Sequence, residues 1–387
     1  MMRIGIIGGA LQGMEAVFLS KKAGFETLVI DRKEDAPAIS LADSYEVFDI
    51  SEGGSRTLEA LQDCDVVLPA FEEMDALIAL DRMMKGSEIP FLFDMDSYRI
   101  SSSKERSNEI MRELDVPLPI PWPECGYPAI VKPSSQSGSV GVSAVNNEME
   151  LEKAISEVKD LNDVPIIQEF VSGKSVSIEV IGDGKDSRSY FTTEVILNDN
   201  YDCKMVLCEP NVIPKEYDYI FKRIGEDIAS GIALKALMDV EAIYTKKGLR
   251  VLEIDARIPS QTPAAVWAAT DVNLLEEMVF SALGKETSKV SRNECSAYEH
   301  YLIRDGNLMT CGEKEFGRIR DPRFDDRFFG ADEAITDYDP NKNEWRATIM
   351  TKGKSPSDVL ERRKQFIREV MDECGLDEYI DRSPRMI

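Results

Sequence analysis

Apolar positions along the chain fall into short unbroken runs near the N-terminus and into mixed strand and helix periods further on. The runs Arg3 to Ile7, Thr27 to Asp31, Cys64 to Pro69 and Pro90 to Asp94 predict buried parallel strands. Met14, Val17, Phe18 and Lys21 share one stripe of a helix over Met14 to Ala23, with Gly24 as its stop. A second helix is expected over Glu72 to Lys85. Strand and helix alternate, which predicts a doubly wound α/β unit over residues 1–100.

The pattern changes near Ser101. Ser101, Ser102 and Ser103 can cap a helix from Lys104 to about Leu114. Val116 to Pro123 holds too many prolines for a helix and is expected to be extended. Strand Ala129 to Lys132, a Ser/Gly loop Ser134 to Gly141, strand Val142 to Val145, helix Glu148 to Val158 and strand Pro165 to Phe170 form a small α+β unit within 101–183. Residues 184–387 form a larger α+β unit. Strands are expected near Ser175 to Ile181, Tyr190 to Leu197, Asp239 to Tyr244 and Leu249 to Asp255. Helices are expected at Tyr217 to Ala236 and Asn273 to Ala282. A last helix, capped by Ser357 and ended by Gly375, turns Leu360, Phe366, Ile367, Val370, Met371 and Cys374 inward.

Composition narrows the chemistry. Lys plus Arg is 46 and Asp plus Glu is 71, a formal net charge of -25. Such a surface repels nucleic acid, and it suits plain solubility as well as cationic substrates. No apolar run approaches the ~18 residues of a membrane span. MMRIGIIGG reads as a first strand and not a signal peptide, so a cytoplasmic protein is expected. The seven cysteines include no C-x-x-C pair, which suggests reduced thiols. His300 is the single histidine, so a metal would rest on carboxylates, as Mg²⁺ prefers.

The first glycine turn fails the dinucleotide fingerprint. Gly8 and Gly13 have the outer spacing, but Ala10 stands at the middle position, where backbone must approach a pyrophosphate. Lys132 at a strand end, followed by Ser134, Ser135, Ser137, Gly138, Ser139 and Val140, can hold phosphates through backbone N–H groups, hydroxyls and one ammonium. Taken alone, the same stretch reads equally as a linker beside a surface lysine. Gln168 to Gly173 is an apolar strand running into a turn; it could line an adenine slot or simply pack in the core. Glu253, Asp255 and Arg257 alternate onto one strand face, with Glu241 on the neighbouring strand. Carboxylates in an apolar strand pair need a cation or ion pairs, so a metal site and a structural salt-bridge network both fit.

Together, and in this order, Lys104, Lys132 with its loop, the Gln168 strand and the carboxylate hairpin resemble the ATP-grasp superfamily over essentially the whole chain. The resemblance implies a Rossmann-like first domain, a central lid and a larger domain with metal carboxylates. It implies ATP as cofactor with Mg²⁺, two ions, for which Mn²⁺ can substitute. Lys104 and Lys132 match the nucleotide lysines. Ser134 to Gly141 match the lid loop, and Gln168, Glu169, Phe170 and Val171 match the adenine strand. Glu241, Glu253 and Asp255 match the metal ligands, and Arg257 the phosphate-facing arginine. Ser175 stands where relatives often carry a ribose-binding glutamate, and Asp255 where many carry asparagine.

Gly8 to Gly13, Leu19 to Gly24, Tyr98 to Ser101, Tyr201 to Cys203, Met238 to Ile243 and Glu253 to Pro263 resemble, more narrowly, the branch of that superfamily serving pyrrolysine biosynthesis. That resemblance implies a carboxylate–amine ligase acting on (3R)-3-methyl-D-ornithine, or D-ornithine, and L-lysine. Relatives often dimerise, so a homodimer is the expected assembly. Both substrates are cationic, so acidic pocket residues are expected. Leu11 and Gln12 on the glycine turn, Ser177, Glu179, Asp202, Arg257 and Ser260 are candidates for substrate contact, with Arg257 and Lys132 catalytic. Glu299 and His300 are further candidates for handling the amine proton, and each fits a structural role equally well. The rival readings are another ATP-grasp carboxylate–amine ligase or carboxylase of an amino-acid or purine pathway, and an ATP-holding regulatory module; the three intact acidic positions weigh against the module.

Overall fold

The computed structural model describes residues 1–383 apart from 137, 139, 286–289 and 291. Strands β1 (Arg3–Ile7), β2 (Glu26–Asp31), β3 (Ser44–Val47) and β4 (Val66–Pro69) make a parallel sheet in the order β3-β2-β1-β4. The run at Pro90 to Asp94 does not join it as a strand; Phe91 forms only a single bridge to Val67. The reason lies at Asp94, whose carboxylate caps the helix Met95–Ser101 by accepting from the Asp96 and Ser97 N–H groups. The chain therefore turns away after Phe91.

The first helix spans Leu11–Lys22 and starts directly from the glycine turn. It is buried along Gly13 to Ser20 and not along one stripe, because it is packed between the sheet and the helix Leu274–Ala282. A Cβ at Gly13 would lie 2.0 Å from the Gly8 carbonyl oxygen, so this close approach of helix and turn requires glycine.

Ser103 caps the helix Lys104–Glu113 as expected. β5 (Ala129–Pro133), β6 (Ser143–Val145) and β7 (Pro165–Glu169) form a small antiparallel sheet, ordered β6-β5-β7, under the helix Glu148–Asp160. The next strand, β8 (Lys174–Asp183), lies inside the 101–183 segment yet pairs in the large sheet.

That large sheet continues through β9 (Ser187–Ser189), β10 (Thr193–Leu197), β11 (Cys203–Cys208), β12 (Lys235–Thr245) and β13 (Gly248–Asp255). It is completed by β14 (Cys295–Arg304), β15 (Asn307–Thr310), β16 (Arg323–Asp326), β17 (Glu333–Thr336), β18 (Trp345–Gly353) and β19 (Glu378–Ile380). Its main path runs β13-β12-β8-β10-β11-β14-β18-β17-β16. The helix expected over Tyr217 to Ala236 spans Lys215–Gly231; Ala233 then takes a φ of 51°, and the chain enters β12. The last helix, Pro356–Cys374, is capped by Ser355 and not Ser357, and Val359 is buried where Leu360 is exposed. Among the described residues no helix is long and apolar enough to cross a membrane.

Candidate functional site

Strand register sets the acidic face. β12 pairs antiparallel with both β8 and β13, which places Ser177, Glu241 and Glu253 in one cross-strand row and Glu179, Asp239 and Asp255 in the next. Directly opposed side chains lie close enough to interact strongly, so like charges here repel. Burial pushes Glu241 well above the usual carboxylate range, and Glu253 and Asp239 push it further. Asp239 is raised in the same way by burial and Glu179. Burial brings Glu179 up to about 7. Burial outweighs the Arg257 charge and brings Asp255 up to about 6.

Glu253 is the exception. Burial would raise it, but two ammonium groups hold it below its ordinary range. Lys104 Nζ lies 3.0 Å from its Oε2 and Lys132 Nζ lies 3.9 Å away. Lys104 reaches it from a helix start and also donates to the Gln136 carbonyl at 2.8 Å, which ties the helix to the lid loop. Lys132 sits on β5, 6% exposed, and donates to the Leu252 carbonyl at 3.1 Å. Burial holds its ammonium below the usual lysine range. Residues distant in sequence, from three elements, thus meet at one carboxylate.

The lid loop is anchored by a residue the sequence pattern did not single out. Asp163 accepts from the Ser134 N–H at 3.1 Å and from the Ser135 hydroxyl at 2.5 Å. Gly138 and Val140 carry the loop to the mouth of a cleft. Ser137 and Ser139 lie outside the described residues. Gln168 is buried on β7, and Glu169 accepts from the Ile120 N–H at 3.2 Å. Phe170 and Val171 follow in the link between the small sheet and β8.

The cleft has a volume of about 780 Å³ and opens at the carboxyl ends of β1, β2 and β4. Leu11, Gln12, Glu72, Arg257, Ser260 and Glu313 all line it. Arg257 is the hinge of the site: its guanidinium bridges Glu72 at 2.7 Å and Asp255 at 2.8 Å, so it joins the cleft to the carboxylate rows. Gln12 donates to Glu72 at 2.9 Å. Lys104, Lys132, Glu241, Glu253 and Asp255 are not part of the cleft's lining; Lys104 and Lys132 are paired with Glu253 instead.

Other candidates divide. Ser260 donates to Glu313 at 3.0 Å, and the Gln261 amide donates to the same oxygen at 3.2 Å. Glu313 is raised by burial and by Asp202. Asp202 lies one layer behind, accepting from the Lys314 N–H at 3.2 Å. Ser177 donates to Asp239. Glu179 is fully buried, and among the described residues neither of its oxygens meets a hydrogen-bond partner. Glu299 and His300 belong elsewhere: neither lines the cleft. Arg363 grips Glu299 with two bonds of 2.7 Å, and His300 stacks on Phe316, its pKa pushed down to about 3 by burial. A buried neutral ring committed to Thr348 leaves no role in proton transfer at the cleft.

Among the described residues no three His, Cys, Asp or Glu side chains converge as a ready metal cradle. The donor chemistry nonetheless fits a hard divalent cation. Glu241, Glu253 and Asp255 offer only oxygen, and like-charge crowding raises Glu241 and Asp255 in a way a cation would relieve.

An ATP-grasp domain family matches residues 101–261. The chain is 36% identical over 318 residues to a 3-methyl-D-ornithine–L-lysine ligase of Methanosarcina barkeri, covering 81% of this chain and 84% of that one. A ligase of the same name from Methanosarcina mazei is 37% identical over 313 residues, covering 80% of each. Among solved structures, the fold is similar to the biotin carboxylase domain of Hydrogenobacter thermophilus 2-oxoglutarate carboxylase, solved with MgADP and bicarbonate. The TM-score is 0.73 at 16% identity, covering 95% of this chain and 89% of that one. The N5-carboxyaminoimidazole ribonucleotide synthetase of Thermotoga maritima gives 0.66 at 20% identity, covering 95% and 98%.

Proposed function

We propose a reaction from one premise: this chain belongs to the 3-methyl-D-ornithine–L-lysine ligase family, within the ATP-grasp enzymes. ATP phosphorylates the carboxylate of (3R)-3-methyl-D-ornithine, giving an acyl phosphate and ADP. The ε-amine of L-lysine attacks that acyl carbon, phosphate leaves, and an isopeptide bond remains. D-Ornithine can stand in for the methylated substrate.

The observation that carries this reading is the position of Arg257, shared between the carboxylate rows and the 780 Å³ cleft. A phosphoryl group transferred to a substrate carboxylate must pass between those two places. Lys104 and Lys132 would turn from Glu253 to the phosphate oxygens, and Arg257 would neutralise charge developing on the transferred group. Glu241, Glu253 and Asp255 would hold magnesium, two ions, with manganese accepted in its place. The metal supplies charge neutralisation at the phosphates. Ser134, Ser135, Ser137, Gly138, Ser139 and Val140 close over the phosphates and exclude water, which would hydrolyse the acyl phosphate. Gln168 to Val171 hold the adenine.

Acidic groups around the cleft select cationic amino acids. Glu313 and Glu72 receive substrate ammonium groups, with Ser260, Gln12 and Leu11 beside them in the lining and Asp202 supporting Glu313; Ser177 and Glu179 are buried outside that lining and take no substrate contact. A lysine amine has a pKa of roughly 10.4 and must lose a proton before attack. A half-buried carboxylate such as Glu313, raised above its ordinary range by burial and by Asp202, is suited to accept it.

The test is product analysis. Purified protein with ATP, Mg²⁺, D-ornithine and L-lysine should release ADP and form a dipeptide of the summed mass less water. ADP release that depends on bicarbonate or a purine precursor, with no dipeptide, would overturn the proposal.

A further inference from the structure

Lys204 is only 2% exposed, and a charged ammonium so placed needs acceptors around it. Among the described residues its acceptors come from residues 381–383. They are Asp381 Oδ1 at 2.6 Å, the Arg382 carbonyl, and Ser383 Oγ at 3.2 Å. The same Asp381 oxygen accepts from the Thr310 hydroxyl at 3.1 Å, and that hydroxyl accepts from the Arg382 N–H at 3.3 Å. Immediately before, β19 pairs in parallel with β15. Residues 378–383 therefore grip two strand ends at once: the start of β11 through Lys204 and the end of β15 through Thr310.

Those two ends lead to Glu313, which lines the cleft. Asp202 and Cys203 precede Lys204; Gly312 and Glu313 follow Thr310. They are fitted face to face. Asp202 accepts from the Lys314 N–H. A Cβ at Gly312 would lie 2.1 Å from the Asp202 carboxylate, so any larger residue there must displace the Asp202 side chain. The Cys203 thiol donates to the Gln261 side-chain oxygen at 2.6 Å, and the Gln261 amide donates to Glu313. Small movements of β11 relative to β15 would thus be transmitted to Glu313.

We infer that residues 378–383 form a strap in which Asp381 and Lys204 are positioning residues, setting Glu313 to receive the ammonium of an amino-acid substrate. The inference rests on the proposed reading of Glu313. Neither Asp381 nor Lys204 lines the cleft. Their effect on the reaction is therefore indirect.

The full-length protein tests it. Asp381→Ala leaves the Lys204 ammonium with only a carbonyl and a hydroxyl. The amino-acid KM should rise about tenfold, while kcat and the ATP KM stay within about twofold, because only contacts outside the cleft are lost, those of Asp381 to Lys204, Arg363 and Thr310. Lys204→Met combined with Asp381→Ala removes both charges and should return the amino-acid KM to within about threefold of the parent. If Asp381→Ala does not fold, Asp381→Asn, which keeps the shape and removes the charge, carries the same test. Hydrogen exchange gives a readout independent of turnover: amides of 202–206 and 310–314 should lose protection in the single variant and regain it in the double. Parent-like KM and exchange in the single variant overturn the strap. So does a double variant no better than the single, or an equal loss in every kinetic constant. Glu313→Gln runs beside them; an unchanged amino-acid KM there refutes Glu313 as the ammonium acceptor, and exchange alone then decides the strap.

Discussion

Replacing Lys132 with methionine should separate catalysis from stability. Lys132 is buried and lies 3.9 Å from Glu253. At an effective dielectric near 20 that attraction is about 4 kcal/mol. Removing a lysine ammonium from water costs several kcal/mol, so the pair's net contribution to folding is close to nil. Methionine has a similar length and fills the same space, and Glu253 keeps Lys104 at 3.0 Å. Stability should therefore change by no more than about 1–2 kcal/mol. Turnover has no such compensation. Loss of a charge aimed at a transferring phosphoryl group typically costs about 10²–10³ in kcat, or about 3–4 kcal/mol. A coupled ADP-release assay at saturating ATP, D-ornithine and L-lysine, beside a urea unfolding curve, measures both. A fall in kcat of less than about fivefold would remove Lys132 from the phosphate site. A stability loss of about 4 kcal/mol or more would show that the ammonium holds the fold and that the charge accounting is wrong.

Arg257→Lys should lower kcat by about 10²–10³, because a point charge cannot bridge Glu72 and Asp255 as a planar guanidinium does; near-parent kcat in the same assay would refute its role. Gly312→Ala should destabilise by about 1–3 kcal/mol in urea unfolding and raise the amino-acid KM, since the new methyl displaces Asp202; a neutral result would deny the tight fit. Stability should fall as pH rises from 6.5 to 8 in metal-free buffer. Glu15 and Glu179, raised to about 8 and about 7 by burial, hold protons in the folded state that the unfolded chain has already released. His300, pushed down to about 3, acts with the opposite sign, but only below its ordinary value of 6.5. Glu15→Gln should flatten this slope, and an unfolding series that stays as steep would exclude Glu15 as a source.

Local pattern carried the site wherever chemistry and period coincided. Lys132 at a strand end, Ser103 at a helix start and the alternating Glu253, Asp255 and Arg257 could be placed because each is tied to its own element. What failed to show was long-range. Glu72 looked like a helix-starting acid; its salt bridge to Arg257 depends on a contact 185 residues away in the chain, from 72 to 257. Glu313 sits on a four-residue helix, Glu313–Phe316, with no periodic signal at all. β14 escaped notice because Glu299 and His300 interrupt an otherwise apolar run; both are buried, the first by Arg363 and the second by stacking on Phe316. Asp94 misled in the other direction, since an aspartate ending an apolar run serves equally as a strand end and a helix cap.

The same long-range pairings explain how such a charged site can fold before any ligand arrives. A site for a polyanion and a divalent cation must carry both signs of charge, and buried charge without a partner is unstable. Here the two signs satisfy each other: Glu253 takes Lys104 and Lys132, while Arg257 takes Asp255 and Glu72. A nucleotide and its metal bring a matched set of opposite charges. In the proposed reaction phosphates would take over the ammoniums and the cation would take over the carboxylates, so that each side chain would exchange one partner for another. The closeness of Lys104 to Glu253 is therefore compatible with the phosphate and metal roles proposed for them. The instability of unpartnered buried charge also explains why the acidic rows tolerate one another: in Glu241 and Asp239, which no lysine reaches at salt-bridge distance among the described residues, burial and crowding favour the neutral form, and a neutral acid costs far less to bury than a lone carboxylate.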